Sequence, residues 1–139
     1  MNVLKVSYKD INAPKKFTSS LRETGFSILT DHPIDTNLIK KVYTEWSFFF
    51  KDNRKVKYLY DPKSQDGYFP FKSENAKNSS VKDLKEFFHF YPWGKYPKEL
   101  GDRTLNLYNQ LIELSSILLS WIQSQTPKNI RSLFSISLP

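Results

Sequence analysis

The chain has 139 residues, of which 39% are hydrophobic and 16% aromatic, so it has room for one domain with an aromatic-rich core. Its formal net charge of +7 is spread along the sequence, which favours a solvated basic surface over a nucleic-acid site. The absence of cysteine excludes disulfides, thiolate metal sites and cysteine nucleophiles.

The sequence can be searched for a signal peptide and for a membrane-spanning segment, which bear on the cellular location. No apolar stretch typical of a signal peptide follows Met1. Residues 105–122 are rich in apolar side chains, but polar residues such as Asn109 and Glu113 interrupt them, so this segment is not expected to span a membrane. We therefore expect a cytoplasmic protein.

The first third of the chain predicts a strand, a helix and a second strand. Residues 3–6 favour a short strand, and Pro14 suits the first turn of a helix that runs to about residue 24. Asn12 is available to cap its start, and Gly25 follows in the usual C-cap position. Its apolar side chains recur every four residues: Ala13, Phe17 and Leu21. Residues 26–30 are apolar and partly β-branched, which predicts a buried strand.

A second helix is expected to begin near Asp35 or Thr36, and an irregular stretch to follow it. An arc of about 140° on this helix contains a core-facing stripe, whereas Phe48 points away from it. The stripe consists of Leu38, Ile39, Val42, Tyr43, Trp46, Phe49 and Phe50. Residues 51–82 are polar and lack periodicity, so they predict a long irregular loop with short strand pieces.

The pattern near the C-terminal end predicts a long helix over residues 103–125, capped by Asp102. Between residues 105 and 122 its apolar side chains occupy an arc of roughly 240°, so two of its sides need cover. The preceding residues can cover one side. The sequence as a whole predicts an α+β fold that is mainly helical with a few short strands.

Six short elements in fixed order resemble a known family. They are Gly25-Phe26, His32 with Ile34, Phe49-Phe50, Lys57-Tyr58, Gly67-Tyr68 and Glu86. This order resembles the N-terminal domain of the non-haem Fe(II), 2-oxoglutarate-dependent dioxygenases of the isopenicillin N synthase type. The resemblance extends over about residues 3–99. It departs from the family pattern at Asp31 and Pro33, where the family has Asn and Gly, and at 52–53, where the family has Leu-Pro.

The resemblance implies a mainly structural role for these elements. In the family, this domain packs against a double-stranded β-helix, also called a jelly roll, and helps to frame the mouth of its active site. The family's iron ligands lie later, as His-x-Asp and a distant His, and an Arg-x-Ser pair binds 2-oxoglutarate. The resemblance thus divides the chain into a family-like region at 1–100, a helix at 101–126 that packs against a catalytic domain, and an irregular tail at 127–139.

The chain does not contain the family's catalytic motifs. Neither His32 nor His89 begins a His-x-Asp, and none of the arginines precedes a serine by two residues. An iron site from His32, Asp35 and His89 is disfavoured, because residues three apart lie on opposite faces of a strand. His32 is expected to be a turn histidine bonded to backbone. We therefore expect no catalytic, cofactor-binding or metal-binding residues here, with Fe(II) and 2-oxoglutarate bound only by a complete family member.

Three functional hypotheses remain open. The leading one is a truncated oxygenase, inactive alone, in which Tyr68 and Phe69 line the substrate entrance of the complete enzyme or else anchor the loop to the core. The second is a module that binds a separately encoded catalytic domain or a second copy through the apolar helix at 105–122. The third, weaker hypothesis is single-stranded nucleic-acid binding through 51–63, where Tyr58 and Tyr60 lie within a lysine-rich segment.

Overall fold

A computed structural model of the chain describes residues 2–75 and 80–128. These residues form the expected α+β fold, with long helices and a few short strands. The elements are β1 (Lys5–Ser7), α1 (Ala13–Thr24), β2 (Ile28–Thr30), α2 (Thr36–Lys51), β3 (Gly67–Phe69), β4 (Phe87–His89) and α3 (Arg103–Gln125), with short 3-10 helices at Asn53–Tyr58 and Lys98–Leu100. None of the described helices is long and apolar enough to cross a membrane.

The chain divides into two compact units. Within the described residues, the first unit comprises 2–35 and 108–128, and the second comprises 36–107. The division falls inside α3. The domain boundaries expected from the sequence at residues 100 and 126 are not tested by this division and stay predictions, and residues 129–139 of the expected tail lie outside the described residues.

The first unit is a βαβ arrangement. Strands β1 and β2 pair in parallel, with Val6 opposite Leu29, and α1 is the crossover that a parallel pair requires. Because side chains alternate across a strand, Val6 and Leu29 point to the same face. That face packs against α1 and the later part of α3, through Ala13, Phe17, Leu21, Leu118, Trp121 and Ile122.

Both ends of α1 lie where the sequence predicts them, but its first turn is closed differently. Gly25 adopts the left-handed conformation, with φ of 78°, and its N–H donates to the Leu21 carbonyl at 2.9 Å. The Asn12 side chain makes no capping hydrogen bond. Instead the Asp10 carbonyl accepts from the Ala13 N–H, and the Asp10 carboxylate accepts from the Asn12 N–H, each at 2.8 Å. The predicted Asn12 cap is therefore wrong, because the turn at Asp10 already supplies acceptors.

The predicted buried strand at 26–30 is shorter and more exposed than expected. The strand spans Ile28–Thr30, and the side chains of Phe26 and Ile28 are 70% and 46% exposed. In the described residues the sheet has two strands and is covered on one face. Leu29 therefore points toward the core, whereas Ile28 points away from it.

The Ser20 hydroxyl joins α1 to the beginning of the sheet. It is 1% exposed, accepts from the Leu4 N–H at 3.1 Å and donates to the Phe26 carbonyl at 2.6 Å. The next ladder bond runs directly from the Ile28 N–H to the Leu4 carbonyl, at 2.9 Å. Ser20 thus satisfies backbone groups of Leu4 and Phe26, which lie just before the paired residues of the two strands.

The second unit contains α2, β3 and β4. Val42 and Phe49 of α2 are buried, and Phe48 points outward with 68% exposure, as predicted. Tyr43 was expected in the buried stripe but is 74% exposed. It follows Val42 by one residue, a rotation of about 100° on a helix, and so lies at the edge of the stripe.

The irregular stretch after α2 contains β3. This strand pairs antiparallel with β4, and Tyr68 lies opposite Phe88. The sequence pattern does not predict the second strand of this pair, at residues 87–89. Isolated bridges between Leu59 and Tyr68 and between Asn75 and Lys82 add the remaining strand-like contacts. The loop therefore has short strand pieces, as predicted.

Helix α3 shows two apolar sides in the part that belongs to the first unit. Leu114 is buried, whereas Ile112 and Leu119 are 45% and 43% exposed. Ile112 and Leu119 are seven residues apart, which places them on the same side of the helix. The exposed second side predicted from the apolar arc is therefore present in the structure.

Candidate functional site

The signature residues of the second unit converge on Phe49. The side chains of Phe49, Tyr68 and Leu100 are 7%, 3% and 6% exposed and form one buried cluster. The half-buried side chains packed against it are Trp46, Phe50, Tyr58, Phe88 and Tyr96. The rings of Trp46 and Phe49 meet edge to face at 5.3 Å, an arrangement favoured by the aromatic quadrupole. The signature therefore marks a packing core.

Gly67 allows β3 to approach the 3-10 helix at Asn53–Tyr58. Its φ is 107°, a conformation that side-chain-bearing residues rarely adopt. A Cβ at this position would lie 2.6 Å from the Tyr58 carbonyl oxygen and 3.0 Å from the Tyr60 Cα. The Gly67-Tyr68 pair thus has a steric explanation, since glycine is needed for Tyr68 to reach the cluster.

A polar network closes one side of this cluster. Lys55 Nζ lies 2.7 Å from Glu86 Oε2 and also donates to the Phe50 carbonyl at 2.6 Å. The Tyr68 hydroxyl donates to the same Glu86 oxygen at 2.5 Å. The Lys55 and Glu86 side chains are 19% and 28% exposed. Each of these half-buried polar groups therefore has a partner, which is what makes their burial tolerable.

The pKa values in this network favour the charged pair. Burial would raise the pKa of Glu86, but hydrogen bonds from Lys55 and Tyr68 outweigh it, so the pKa falls below its ordinary value of 4.5. The hydrogen bond to Glu86 raises the pKa of Lys55 above 10.5. Burial, followed by the bond to Glu86, raises the pKa of the Tyr68 hydroxyl. At neutral pH the network is a carboxylate held by an ammonium and a phenol.

The lysine of this network is not the one that the sequence pattern selects. Lys57, the signature lysine, is exposed, whereas Lys55 makes the ion pair. Lys55 and Glu86 are separated by 31 positions, and lysines occur at both 55 and 57. The spacing of the two lysines in the sequence does not show which of them pairs with Glu86, because this depends on the direction in which each side chain leaves the 3-10 helix.

Sequence reasoning also missed Asp66, which directly precedes the Gly67-Tyr68 pair. Asp66 is 3% exposed, and its carboxylate accepts hydrogen bonds from the Ser64 hydroxyl and the Lys95 N–H. These hydrogen bonds hold the pKa of Asp66 below its usual value. A Cβ at Gly94 would lie 2.6 Å from Asp66 Oδ2. Asp66 therefore fixes the tight turn at Gly94.

Tyr68 and Phe69, the expected entrance residues, are each 3% exposed. The Phe69 ring stacks between Tyr60 and Phe87, with ring centroids 4.3 and 4.6 Å away. These contacts favour the alternative in which both residues anchor the loop to the core. A role at a substrate entrance stays a prediction.

The remaining signature residues lie in the first unit. Gly25 caps α1, Phe26 is exposed, and Ile34 is buried with 6% exposure. The Nδ1 atom of His32 is buried without a hydrogen-bond partner among the described residues. Nδ1 therefore makes no backbone bond, and the expectation that His32 bonds to backbone stays a prediction.

The histidines do not fit an iron site in the described residues. His89 Nδ1 lies 3.0 Å from the Gln65 carbonyl, to which it donates, and the His89 ring packs against Phe69 at 4.5 Å. No group of three histidine, aspartate or glutamate side chains that could hold a metal ion occurs in residues 2–75 and 80–128. A facial site needs two imidazoles and a carboxylate together.

One cavity of about 190 Å³ adjoins the aromatic cluster. Phe48, Phe49 and Leu100 form its apolar wall. Several of its polar groups are paired: the Arg54 guanidinium lies 2.6 Å from the Asp52 carboxylate, and the Tyr58 hydroxyl donates to Glu99 at 2.9 Å. Glu45 Oε2, from another lining residue, is buried without a hydrogen-bond partner among the described residues. The arginine and tyrosine of the cavity are therefore engaged in pairs within the chain.

The same pairings involve the basic segment proposed for nucleic acid. Lys55, Arg54 and Tyr58 are engaged within the chain, and the Tyr60 ring stacks on Phe69. Bases need exposed aromatic faces on which to stack. Nucleic-acid binding through 51–63 stays a prediction without a structural observation in its favour.

Replacing Lys55 tests the network against the matched lysine at 57. We expect Lys55→Met to lower the free energy of unfolding by about 1–2 kcal/mol, because it leaves a half-buried carboxylate without its cation. Lys57→Met, at an exposed position, should change it by less than about 0.5 kcal/mol. Urea denaturation followed by tryptophan fluorescence measures both. Equal effects of the two substitutions would show that the ion pair does not stabilise the fold.

The pH dependence of stability tests the lowered pKa of Glu86. A carboxylate with a lowered folded-state pKa stabilises the protein above its unfolded value and loses this effect as the pH falls through the folded value. We therefore expect the stability difference between the native chain and Glu86→Gln to be complete at pH 7 and to shrink below pH 4.5. Denaturation at a series of pH values measures it, with Glu113→Gln on the exposed side of α3 as control. A difference independent of pH would contradict the assignment.

Comparisons with known proteins agree with this structural character. Residues 9–113 match the family described as the N-terminal domain of non-haem dioxygenases in morphine synthesis. No curated protein sequence matches the chain. Among solved structures, a Shewanella oneidensis protein described as a candidate oxygenase is similar, with 40% identity and a TM-score of 0.84. The match covers 98% of this chain and 48% of that one, so this chain spans about half the length of its relative.

The family match covers most of the chain, and the similarity to a solved oxygenase candidate extends across nearly all of it. The aromatic cluster and its ion pair lie inside the matched region. The chain belongs to the family of non-haem dioxygenase N-terminal domains.

Proposed function

We propose that this chain serves as the non-catalytic N-terminal part of a 2-oxoglutarate- and Fe(II)-dependent oxygenase that acts on small organic substrates. Its residues build a scaffold, and the chemistry resides in a catalytic domain that it does not supply. The observation that carries the proposal is the coverage: the chain matches over nearly its whole length but accounts for 48% of the related oxygenase candidate. A cytoplasmic location is part of this proposal.

The chemistry explains why a second part is required. When bound, Fe(II) would supply the sites at which the oxoacid and dioxygen meet, and it needs two imidazoles and one carboxylate on one face. An arginine fork would hold the distal carboxylate of 2-oxoglutarate. In this chain the described histidine and carboxylate side chains are not grouped for this purpose. Its own groups instead stabilise a fold, as the Lys55–Glu86 pair illustrates.

Anaerobic titration tests this proposal. Addition of Fe(II) and 2-oxoglutarate to the purified chain should give no stoichiometric charge-transfer band in the visible spectrum, because the ligand set is incomplete. The same titration on a chimaera, in which this chain replaces the matched segment of the S. oneidensis protein, should give the band.

Two results would contradict the proposal. A stoichiometric band from the chain alone would show that it holds a complete site. A folded chimaera that gives no band would show that this chain does not serve a metal-dependent oxygenase. The variant His89→Ala is the matched control, because His89 bonds to Gln65 and is not expected to bind metal.

A second candidate function is association through the exposed apolar side of α3. Ile112 and Leu119 lie on one side of the helix with 45% and 43% exposure, opposite the buried Leu114. Apolar side chains repeated on one exposed face are typical of binding surfaces. The occupant would be a separately encoded catalytic domain or a second copy of the chain.

Size-exclusion chromatography over a concentration series tests self-association. If a second copy binds this side, the native chain should elute earlier as its concentration rises, and Ile112→Glu with Leu119→Glu should abolish the shift. The pair Asn109→Glu and Ser120→Glu adds the same charge at exposed polar positions and should retain it. A native chain whose elution is insensitive to dilution would remove self-association.

A further inference from the structure

The cavity beside the aromatic cluster has the size of a small organic molecule. Its volume is about 190 Å³, and an apolar protein cavity of about 150 Å³ accommodates benzene. Its lining comes from α2, from Asp52 directly after α2 and from the two 3-10 helices. All of these residues belong to the second unit, so the cavity is formed within one compact part of the chain.

Aromatic side chains form much of the cavity wall. Phe49 and Tyr58 have ring centroids 6.0 Å apart, and Phe48 also lines the cavity. Phe48 is nevertheless 68% exposed, so this large apolar side chain lies where the cavity meets solvent. The face of an aromatic ring carries partial negative charge and attracts cations. The wall is therefore suited to a ligand that has both an apolar group and a positive charge.

One carboxylate oxygen of the lining has no partner. Arg103 donates to Glu45 Oε1, whereas Glu45 Oε2 is buried without a hydrogen-bond partner among the described residues. Ionised carboxylate oxygens are strong acceptors, and leaving one of them buried and unpaired is costly. A donor with positive charge is the group that satisfies such an oxygen best.

The cations of the lining, by contrast, are already paired. The Arg54 guanidinium lies 2.6 Å from the Asp52 carboxylate, and the Lys55 ammonium lies 2.7 Å from Glu86. An anionic ligand would have to replace one of these carboxylates. In a chain whose formal net charge is +7, the lining contains three carboxylates and two cations. The charges therefore favour a cationic ligand over an anionic one.

We propose that this cavity binds a small organic cation, in which a primary ammonium group is attached to an apolar group of about the size of benzene. The ammonium donates to Glu45 Oε2, and the apolar group packs against Phe48, Phe49 and Leu100. The inference goes beyond the proposed function, because the site is built by this chain and requires neither Fe(II) nor a catalytic domain.

Titration of the full chain with three ligands of similar size tests the inference. Benzylammonium carries a positive charge, benzyl alcohol is neutral and benzoate is negative. Each is added to isotopically labelled protein at neutral pH, and the Leu100 methyl and Phe48 amide resonances are followed by NMR. Benzylammonium should bind at least about tenfold more tightly than benzyl alcohol, because a charged hydrogen bond is stronger than a neutral one. Benzoate should bind most weakly.

Substitutions show whether binding uses the inferred contacts. Glu45→Gln retains the shape of the side chain and should remove the preference for benzylammonium over benzyl alcohol. Its matched control, Glu113→Gln at an exposed position of α3, should retain this preference. Phe48→Ala should weaken benzylammonium binding by about fivefold, because it removes one aromatic face. Tyr43→Ala, which removes a comparably exposed ring on the same helix outside the cavity, should not.

Several results would overturn the inference. Equal affinities for benzylammonium and benzyl alcohol would show that the cavity selects for apolar groups alone. Tighter binding of benzoate, or a preference for benzylammonium that persists in Glu45→Gln, would contradict the role of this carboxylate. No saturable shift up to about 10 mM benzylammonium would show that the cavity takes no ligand of this class. The comparison of ligands on the native chain decides the inference even if a variant does not fold.

Discussion

The packing of aromatic rings around Phe49 is the constraint on which the second unit depends. Phe49 lies at the end of α2, Tyr68 in β3 and Leu100 in a 3-10 helix, so one buried cluster connects segments that are distant in sequence. Gly67 is required because a Cβ there would collide with the Tyr58 carbonyl. Since burial of an aromatic side chain removes much apolar area from water, this cluster offsets the entropy of ordering a long irregular stretch.

The first unit is built differently, because the apolar contacts of its sheet lie on one face. Val6 and Leu29 face α1 and α3, while Ile28 is exposed on the opposite face and Ile112 and Leu119 are exposed on α3. Exposed apolar side chains grouped in this way are typical of binding surfaces. The second unit thus has an aromatic core with the Lys55–Glu86 ion pair beside it, and the first unit has exposed apolar side chains.

Local rules predicted the elements that depend on nearby residues. Gly25 ends α1, and α3 spans the residues whose apolar periodicity is strongest. The predictions are wrong or incomplete where burial or a side chain's partner depends on residues distant in sequence. Burial of 26–30 could not be judged without knowing that the sheet has one covered face. Lys55 could not be separated from Lys57, because the partner Glu86 is 31 positions away. The six signature elements identify the family, because several of them pack together in one aromatic cluster.

In the proposed function, this chain contributes structure to an oxygenase and another domain supplies the iron ligands. Electron paramagnetic resonance of the nitric oxide adduct of Fe(II) tests it most directly, because such an adduct gives a characteristic high-spin signal when a protein holds the iron. We expect no such signal above buffer from the chain with Fe(II) and 2-oxoglutarate. We expect a stoichiometric signal once the remaining part of an oxygenase is joined to the chain. A stoichiometric signal from the chain alone would contradict the proposed function.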